Sequence, residues 1–256
     1  MSRTATMRPD AAAEQTVVER DAAGLLAQLA VHERNAIHRA SQVQFCAAGD
    51  VLLRAQSPSR CALFPINAVL SVVRQLRDER AIAAGLFGNE GMIGVDLVLD
   101  TKSQPDAVVV QSAGFVYCMP ADDLRHQFDG IRRLQRSVLA FAHSLLGQVA
   151  QNVVCTRHHS IAQRTAKWLL MIDDRTGAIE TGKSKALLAG ALAADEVTIA
   201  RALSELASRG AIEHRRGRIA VERDALEVIA CECYDILRMA PGIVERRSRV
   251  AGPATG

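Results

Sequence analysis

The sequence predicts an α+β protein in which an N-terminal antiparallel β-roll of the jelly-roll type precedes a long helix and a C-terminal winged helix-turn-helix. Three observations predict this class. Short apolar stretches broken by turn residues run from Gln42 to about Met119. A periodic row of side chains follows between Leu134 and Val153, and two short helices with a basic hairpin occupy Lys185 to Val221. Alternation with regular turns favours an antiparallel roll, and such a roll encloses a pocket.

Length and composition set the broad class. The 256 residues allow two modest domains, and 49% hydrophobic residues exclude wholesale disorder. We find no apolar run of membrane-spanning length and no apolar signal core at the N-terminus, so we expect a cytoplasmic protein without a membrane partner. The formal charge of +3 is too small to identify a nucleic-acid-binding protein by itself. The charge is uneven, however, because arginines cluster near the basic hairpin and in the last residues of the chain.

Changes in residue composition and hydrophobic pattern divide the chain into five parts. We expect a flexible leader at 1–21, a β-roll sensor domain at 22–130 and a dimerisation helix at 131–157. A winged helix-turn-helix domain at 158–240 and a basic flexible tail at 241–256 would complete the chain.

The long helix carries a heptad-like row. Its members recur at alternating steps of four and three, with an apolar first half and a polar second half, as expected for a parallel helix pair. Leu146 and Val149 would pack alongside, and the pairing makes the protein a homodimer. A single helix buried against its own domain is the alternative. The predicted interface residues are Leu134, Val138, Phe141, Leu145, Gln148 and Asn152.

A hinge is expected at His158-His159, because Ser160 and Gln163 form a capping box that begins a new helix. That helix carries Trp168 and ends near a loop at Asp173 to Gly177.

The stretch from Lys185 to Val221 predicts a helix-turn-helix with a wing. Asp195 can cap its second helix, Gly210 ends that helix, and the following residues alternate around a turn at 215–218. The inward stripe is Ile199, Leu203 and Leu206, and the opposite face holds Val197, Arg201, Ser204 and Ser208.

This combination suits double-stranded DNA. A helix fits the major groove, and a cationic hairpin tip can lie against the neighbouring phosphates. Arg201 would then approach base edges, while Arg215, Arg216 and Arg218 would contact the backbone. A plain helical hairpin with solvated arginines is the alternative. Beyond the wing, Asp224 can cap a last helix that carries Ile229, Cys233 and Leu237.

Six cysteines are scattered without the spacing of a disulfide framework, which fits a reducing compartment. Cys231 and Cys233 are too close for a usual zinc knuckle, and on a helix they would point to different sides. We therefore expect structural cysteines and no metal site.

Several motifs resemble the Crp/Fnr transcription regulators over roughly Gln42 to Arg238. Gly49-Asp50-Val51-Leu52 resembles an early roll segment, and Gly88 to Gly94 resembles the family's Gly-x-Glu-Gly-Met-x-Gly turn. Cys155 to Arg164 resembles the start of its DNA-binding domain, and Ala230 to Tyr234 resembles one subgroup. The resemblance implies a homodimeric DNA-binding regulator controlled by a signal at the roll, with RNA polymerase as a further candidate partner.

Departures from the family pattern fall at the start of the second helix of the helix-turn-helix, the helix that would enter the major groove. Relatives commonly carry Ser-Arg-Glu-Thr-Val-x-Arg, whereas this chain has Asp-Glu-Val-Thr-Ile-Ala-Arg at 195–201. By resemblance Arg201 and Thr198 inherit base-edge and phosphate roles. Glu196 could accept from cytosine N4, and Val197 could contact a thymine methyl, so the operator should differ from the usual one. The predicted DNA-binding residues are Glu196, Val197, Thr198, Arg201, Ser204, Ser208, Arg215, Arg216 and Arg218.

The effector pocket is placed by the same resemblance at Gly88, Glu90, Gly91 and Asp106. Relatives that bind cyclic nucleotides hold the phosphate with an Arg-Ser/Thr pair, but the stretch here is Lys-Ser-Gln-Pro-Asp-Ala at 102–107. An acid at a phosphate site opposes binding, so cyclic AMP is not expected. No N-terminal cysteine cluster suited to an iron–sulfur centre precedes the roll. The sequence thus predicts no cofactor and leaves the effector unidentified.

Two other classes of function remain to be weighed. The first is a small-molecule or thiol-redox sensing module of the same fold with weak or lost specific DNA binding, whose thiol version would use Cys231 or Cys233. An enzyme is not expected, because no histidine accompanies a nucleophile signature, there is no His-Glu-x-x-His helix, and Gly88 to Gly94 lacks a P-loop lysine.

Overall fold

A computed structural model describes residues 24–77, 81–101, 106–176, 179–180, 184–215 and 218–238. The predicted leader (1–21), the predicted tail (241–256), Arg216 and most of the stretch at 102–107 lie outside the described residues. The described part confirms the α+β class, with an N-terminal antiparallel β region, a long helix and a C-terminal winged helix-turn-helix.

The N-terminal unit is a roll of two antiparallel sheets. One sheet has the order β1-β7-β3, and the other has the order β2-β6-β4-β5. A 3₁₀ turn at Leu26–Gln28 and helix α1 (Val31–Arg39) precede the strands. The strands are β1 (Gln42–Cys46), β2 (Val51–Leu53), β3 (Cys61–Pro65), β4 (Val69–Gln75), β5 (Ala81–Phe87), β6 (Ala107–Ser112) and β7 (Gly114–Pro120).

Apolar side chains from both sheets fill the inside of the roll. Phe64, Leu70, Val110 and Met119 are almost completely buried there. The short helix α2 (Val95–Val98) follows the turn at 88–94, and helices α3 (Ala121–Gly130) and α4 (Arg132–His158) follow the last strand.

One face of helix α4 packs against the roll of its own chain. Leu134, Val138 and Phe141 are buried in the roll core, and Leu145 packs against it. Gln148 accepts a hydrogen bond from the backbone N–H of Leu86 at 3.0 Å. Asn152 donates to the backbone oxygen of Ala84 at 2.9 Å. These contacts correct the assignment of the six residues to a dimer interface, because an apolar periodicity does not reveal which surface covers it.

By length and composition alone, helix α4 could cross a membrane, with a mean hydropathy of 1.3 over its most apolar 18 residues. The expectation that no apolar run reaches that length therefore needs correction. Gln148 and Asn152 nevertheless bind the backbone of β5, so one side of this helix is covered by the roll.

The C-terminal unit begins after a break at His159, as the capping box predicts. Helix α4 ends at His158, and α5 begins at Ile161. Ser160 and Gln163 exchange hydrogen bonds of 3.0 and 3.3 Å. The remaining elements are α5 (Ile161–Thr176), β8 (Ile179–Glu180), α6 (Ser184–Leu192), α7 (Glu196–Ser208), β9 (Ile212–Arg215), β10 (Arg218–Val221), α8 (Arg223–Ile229) and α9 (Cys233–Arg238).

The segment after the wing differs from the single capped helix that the sequence predicts. Asp224 lies in the first turn of α8, and Glu222 occupies the N-cap without a side-chain hydrogen bond. Ala230 adopts an extended backbone with ψ of 150°, which ends α8 before α9 begins. Arg223 holds this segment onto α5 through ion pairs with Asp173 and Asp174.

The two units share a buried surface. Val69, Ala83 and Leu86 of the roll belong to the same apolar cluster as Trp168 and Leu192 of the C-terminal unit. Helices α5 and α6 therefore pack on the outer face of strands β4 and β5.

Candidate nucleic-acid interface

Helix α7 has one buried face and one exposed face. Ile199, Leu203 and Leu206 are buried in the C-terminal core, as the stripe in the sequence predicts. The exposed face carries Glu196, Val197, Arg201, Ser204 and Ser208. The side chain of Arg201 makes no ion pair with any residue in the described ranges, so its guanidinium is available to an external partner.

The start of helix α7 is fixed by its cap. The carboxylate of Asp195 accepts from the backbone N–H of Thr198 and from its hydroxyl, both at 2.8 Å. These two bonds hold the pKa of Asp195 below its usual value, the backbone bond contributing most. The hydroxyl proton of Thr198 is committed to the cap in this conformation. A phosphate contact from Thr198, which the resemblance implies, would require that proton to turn away from Asp195.

The turn between α6 and α7 is tight and carries backbone strain. Ala193 adopts a left-handed conformation with φ of 52°, which L-residues other than glycine rarely adopt. The backbone N–H of Ala194 donates to the oxygen of Ala189 at 3.1 Å, which closes the turn. Arg164 of α5 donates to the backbone oxygen of Leu192 at 2.7 Å, so the end of α6 is held from a third helix.

Helix α7 ends as the sequence predicts. Gly210 has φ of 69°, and the backbone N–H of Ala211 donates to the oxygen of Leu206 at 2.9 Å. A residue with a Cβ would be strained at this position, which explains the glycine.

The wing hairpin β9–β10 lies beside α7, and β8 pairs with β10, so that the sheet has three strands in the order β8-β10-β9. Ile219 pairs with His214, and Arg218 pairs with Arg215 next to the tip. Arg215 forms an ion pair with Glu213 at 2.6 Å, which raises the pKa of Arg215 and lowers that of Glu213. Arg218 is exposed and makes no ion pair with a residue whose side chain the structure describes. Arg218 is therefore the freer cation of the two.

The roll contains a pocket of about 220 Å³ between strands β4 and β6 and helices α2 and α4. Its lining is mostly apolar and includes Phe141 and Leu145 of helix α4. Among the residues that the structure describes, the charged side chains in the lining are the acids Asp96 and Asp106. Asp106 accepts from Arg74 in a bidentate pair, so the guanidinium of Arg74 is already engaged at this position.

The turn at 88–94 contributes Met92, Ile93 and Gly94 to the lining of this pocket. Gly88, Glu90 and Gly91 are not among the residues that line it, so their assignment to effector binding stays a prediction. A Cβ on Gly91 would lie 2.4 Å from the ring of Phe141, so glycine is needed for close packing of helix α4. Glu90 instead accepts from the backbone N–H of Gly88 and pairs with Arg175 of α5.

A second exposed row lies on helix α4, about 100° around the helix axis from the face that contacts the roll. It consists of Leu139, Leu146, Val149 and Val153, which recur at steps of seven, three and four. Leu146 and Val153 are 68% and 69% exposed. This spacing is typical of two helices that pack side by side. The row is displaced by one residue from the row that the sequence predicts as the interface.

A cluster of soft ligand side chains was missed by the sequence analysis. The side-chain ligand atoms of Cys155, His159, Cys231 and Cys233 all lie within 4.8 Å of one another. The Cys155 and Cys231 sulfurs are 3.6 Å apart, and the Cys231 hydrogen bond lowers the pKa of Cys155. Cys155 and His159 stand four residues apart, one helical turn, and that spacing was the available signal.

These features define a two-unit protein in which a β-roll is joined through a long helix to a winged helix-turn-helix. Residues 163–229 match the model of the Crp-like helix-turn-helix domain. The described chain has the fold of the Crp/Fnr transcription regulators, with this Crp-like domain as its C-terminal unit.

Solved structures share this fold at low sequence identity. FixK2 from Bradyrhizobium japonicum is 16% identical, with a TM-score of 0.62 over 75% of this chain and 98% of that chain. CLP from Xanthomonas campestris, described as a c-di-GMP responsive global regulator, is 12% identical, with a TM-score of 0.57 over 75% and 99%. A CRP-family transcriptional regulator from Thermus thermophilus is 16% identical, with a TM-score of 0.59 over 73% and 96%. No curated protein sequence matches this chain significantly.

Proposed function

We propose that this protein is a homodimeric, sequence-specific DNA-binding transcription regulator of the Crp/Fnr type, acting in the cytoplasm without enzymatic activity. Residues 22–130 form the sensor domain, 131–157 the connecting helix and 158–240 the DNA-binding domain. The observation that carries the proposal is the exposed face of α7, where Arg201 stands free beside Val197 and Ser204. The Crp-like domain match over residues 163–229 supports it.

On DNA, helix α7 enters the major groove, and the wing lies along the adjacent backbone. Arg201 contacts base edges, and a bidentate contact of this kind discriminates by about 1–3 kcal/mol. Glu196 stands at the start of the same exposed face, where its carboxylate can accept from a cytosine amino group. Arg215, Arg216 and Arg218 supply phosphate contacts, and Arg218 has no competing ion pair in the described part of the chain.

The dimer forms when the exposed row on helix α4 packs against the same row of a second copy of the chain. The spacing of Leu139, Leu146, Val149 and Val153 supports this assignment, because two such rows interdigitate in a parallel helix pair. A two-fold dimer then presents two α7 helices to a symmetric operator, with half-sites about one helical turn apart. RNA polymerase is the partner that an activating dimer would contact.

The controlling signal binds the pocket of the roll. Phe141 and Leu145 line it, so an occupant would press directly on the helix that carries the dimer row. The pocket of about 220 Å³ is small for a drug-sized ligand, and its acids Asp96 and Asp106 oppose a phosphate. We propose a small neutral or cationic effector instead of a cyclic nucleotide.

A sensing module that has lost DNA binding is the second candidate. The exposed carboxylate of Glu196 on the reading face and the paired sulfurs of Cys155 and Cys231 support it. Retention of a selected duplex by the purified protein separates the two candidates, because the sensing module would not retain it.

The test of the proposal is fluorescence anisotropy with a duplex enriched from a random library. We expect binding that weakens steeply with salt, and Arg201→Ala should weaken it by roughly 5- to 150-fold. Arg125→Ala is the matched control, because Arg125 is an exposed arginine on helix α3 of the roll. Equal binding to the enriched and scrambled duplexes would contradict the proposal.

A further inference from the structure

Four soft ligand side chains converge where helix α4 ends and the last two helices meet. Cys155 lies in the last turn of α4, and His159 follows that helix. Cys231 lies in the break between α8 and α9, and Cys233 is the first residue of α9. We propose that these four side chains bind one Zn²⁺ ion in a tetrahedral Cys₃His site.

The distances between the ligand atoms suit such a site. With Zn–S bonds of about 2.3 Å and Zn–N bonds of about 2.0–2.1 Å, a tetrahedron places sulfurs about 3.8 Å apart and sulfur and nitrogen about 3.6 Å apart. The sulfurs of Cys155 and Cys231 are 3.6 Å apart, and Cys233 Sγ lies 3.5 Å from His159 Nδ1. All four ligand atoms lie within 4.8 Å of one another. Small side-chain adjustments would therefore suffice to close the site.

The side chains around the cluster are those that orient metal ligands. Gln151 Nε2 donates to the sulfur of Cys233 at 3.0 Å. The other ring nitrogen of His159, Nε2, lies 4.0 Å from a carboxylate oxygen of Glu232. Metal-bound histidines commonly donate the N–H of their second nitrogen to a carboxylate, and a rotation of the exposed Glu232 side chain would bring its carboxylate within hydrogen-bond distance.

The local charge favours an ion bound by thiolates. Three thiolates and Zn²⁺ carry a net charge of −1, and a buried site needs a compensating cation. Lys167 is 2% exposed, lies beside Cys155 and forms no ion pair with a carboxylate of the described residues. Its ammonium donates to Asn152 Oδ1 at 2.7 Å. The buried lysine thus supplies the compensating positive charge.

Such a site would join three separate parts of the chain. It fastens the end of helix α4, the hinge before α5 and the C-terminal helix pair α8–α9 to one ion. All four coordination positions are filled by protein, as in structural zinc sites that stabilise folding. The inference is independent of DNA binding, because every group that carries it lies away from the exposed face of α7.

The direct test is the metal content of the full-length protein, purified under reducing conditions without chelator. Elemental analysis should find about one zinc per chain, as expected for a single closed site. After zinc removal, Co²⁺ should give the intense visible absorption of a tetrahedral complex together with a thiolate charge-transfer band. Added Zn²⁺ should displace the cobalt and release it. X-ray absorption of the zinc protein should show three sulfur neighbours and one nitrogen neighbour.

Variants separate the four ligands from the other thiols. Cys233→Ser and His159→Ala should weaken Zn²⁺ binding, measured by competition with a chromogenic chelator. Gln151→Ala removes a hydrogen bond to a ligand and should cost roughly 10- to 100-fold in affinity. Cys46→Ser is the matched control, because Cys46 is equally buried but lies on strand β1 of the roll. Circular dichroism of each variant establishes that it is folded.

Three results would overturn the inference. The first is the absence of zinc from native protein that also fails to bind Co²⁺ in a tetrahedral environment. The second is a folded Cys233→Ser protein with unchanged zinc affinity. The third is a Cys155–Cys231 disulfide in metal-free protein isolated anaerobically, which would assign the cluster to redox chemistry.

Discussion

Arg175 Nη2 lies 2.6 Å from Glu90 Oε1, and both side chains are buried at the contact between the roll and the C-terminal unit. Glu90 belongs to the turn that follows β5, and Arg175 lies in the last turn of α5. The guanidinium also donates to the backbone oxygen of Met171 at 2.6 Å, and Glu90 Oε2 accepts from Gly88 at 3.0 Å. This pair connects the roll to the C-terminal unit that carries α7.

Removal of one partner of this ion pair should lower the free energy of unfolding. Arg175→Met leaves the carboxylate of Glu90 buried without its partner, so the free energy of unfolding should fall by about 3–5 kcal/mol. The double variant Glu90→Gln with Arg175→Met should recover more than half of that loss. Urea denaturation at fixed protein concentration measures both changes. Arg125→Met is the control, since its ion pair is exposed and should cost about 1 kcal/mol at most. Additive losses in the double variant would contradict this account.

The exposed row on helix α4 predicts a dimer that a single charge can disrupt. Leu146 is 68% exposed in one chain, and its burial against a partner is worth about 1.5–3 kcal/mol per copy. Leu146→Glu affects two symmetric copies and should raise the dimer dissociation constant by at least roughly 100-fold.

Sedimentation equilibrium measures that dissociation constant. Val228→Glu is the matched control, because Val228 is 81% exposed on α8 and lies off the proposed interface. A wild-type protein that is monomeric at micromolar concentration, or equal dissociation of both variants, would exclude the proposed interface.

The strained turn between α6 and α7 predicts that a glycine substitution stabilises the protein. Ala193 has φ of 52°, so Ala193→Gly should relieve strain and raise the free energy of unfolding by about 1 kcal/mol. Ala200→Gly, inside α7, should instead lower it by about 1 kcal/mol. Thermal denaturation of the two variants provides the comparison, and a loss of stability in Ala193→Gly would contradict the strained conformation.

The cap of α7 predicts a pH-dependent contribution to stability. Thr198 holds the pKa of Asp195 below its ordinary value, so the ionised carboxylate is favoured in the folded protein. Its stabilising contribution is therefore fully present above the unfolded pKa and is lost as pH falls through the folded pKa.

Asp195→Asn keeps an oxygen acceptor for the cap and removes this titration. The difference in melting temperature between wild type and Asp195→Asn should thus shrink on acidification. Asp195→Ala should be less stable than Asp195→Asn at neutral pH. A wild-type advantage over Asp195→Asn that grows as the pH falls would contradict the cap.

The local features of the winged helix-turn-helix could be predicted from the sequence, because they depend on residues that are close together in the chain. The stripe of Ile199, Leu203 and Leu206 and the glycine at 210 follow from helix periodicity and backbone geometry. The capping box at Ser160 is equally local. Such signals need no knowledge of the partner surface.

Features that depend on distant contacts were misassigned. Helix α4 has two apolar rows, and the sequence cannot reveal that Val138 and Phe141 face the roll while Leu146 faces outward. The sequence does not show that Glu90 pairs with Arg175, because the two residues are 85 positions apart. Cys155 and Cys231 are 76 residues apart, and the break at Ala230 contains neither glycine nor proline. These contacts arise only from the fold.

Selection from a random duplex library by the purified full-length protein tests the central claim most directly. We expect enrichment of a two-fold symmetric sequence whose half-site centres lie about 10–10.5 base pairs apart. Arg201→Ala should lose that enrichment, while Arg125→Ala should retain it. A library that shows no enriched sequence after repeated rounds with folded wild-type protein would contradict the claim that α7 reads DNA.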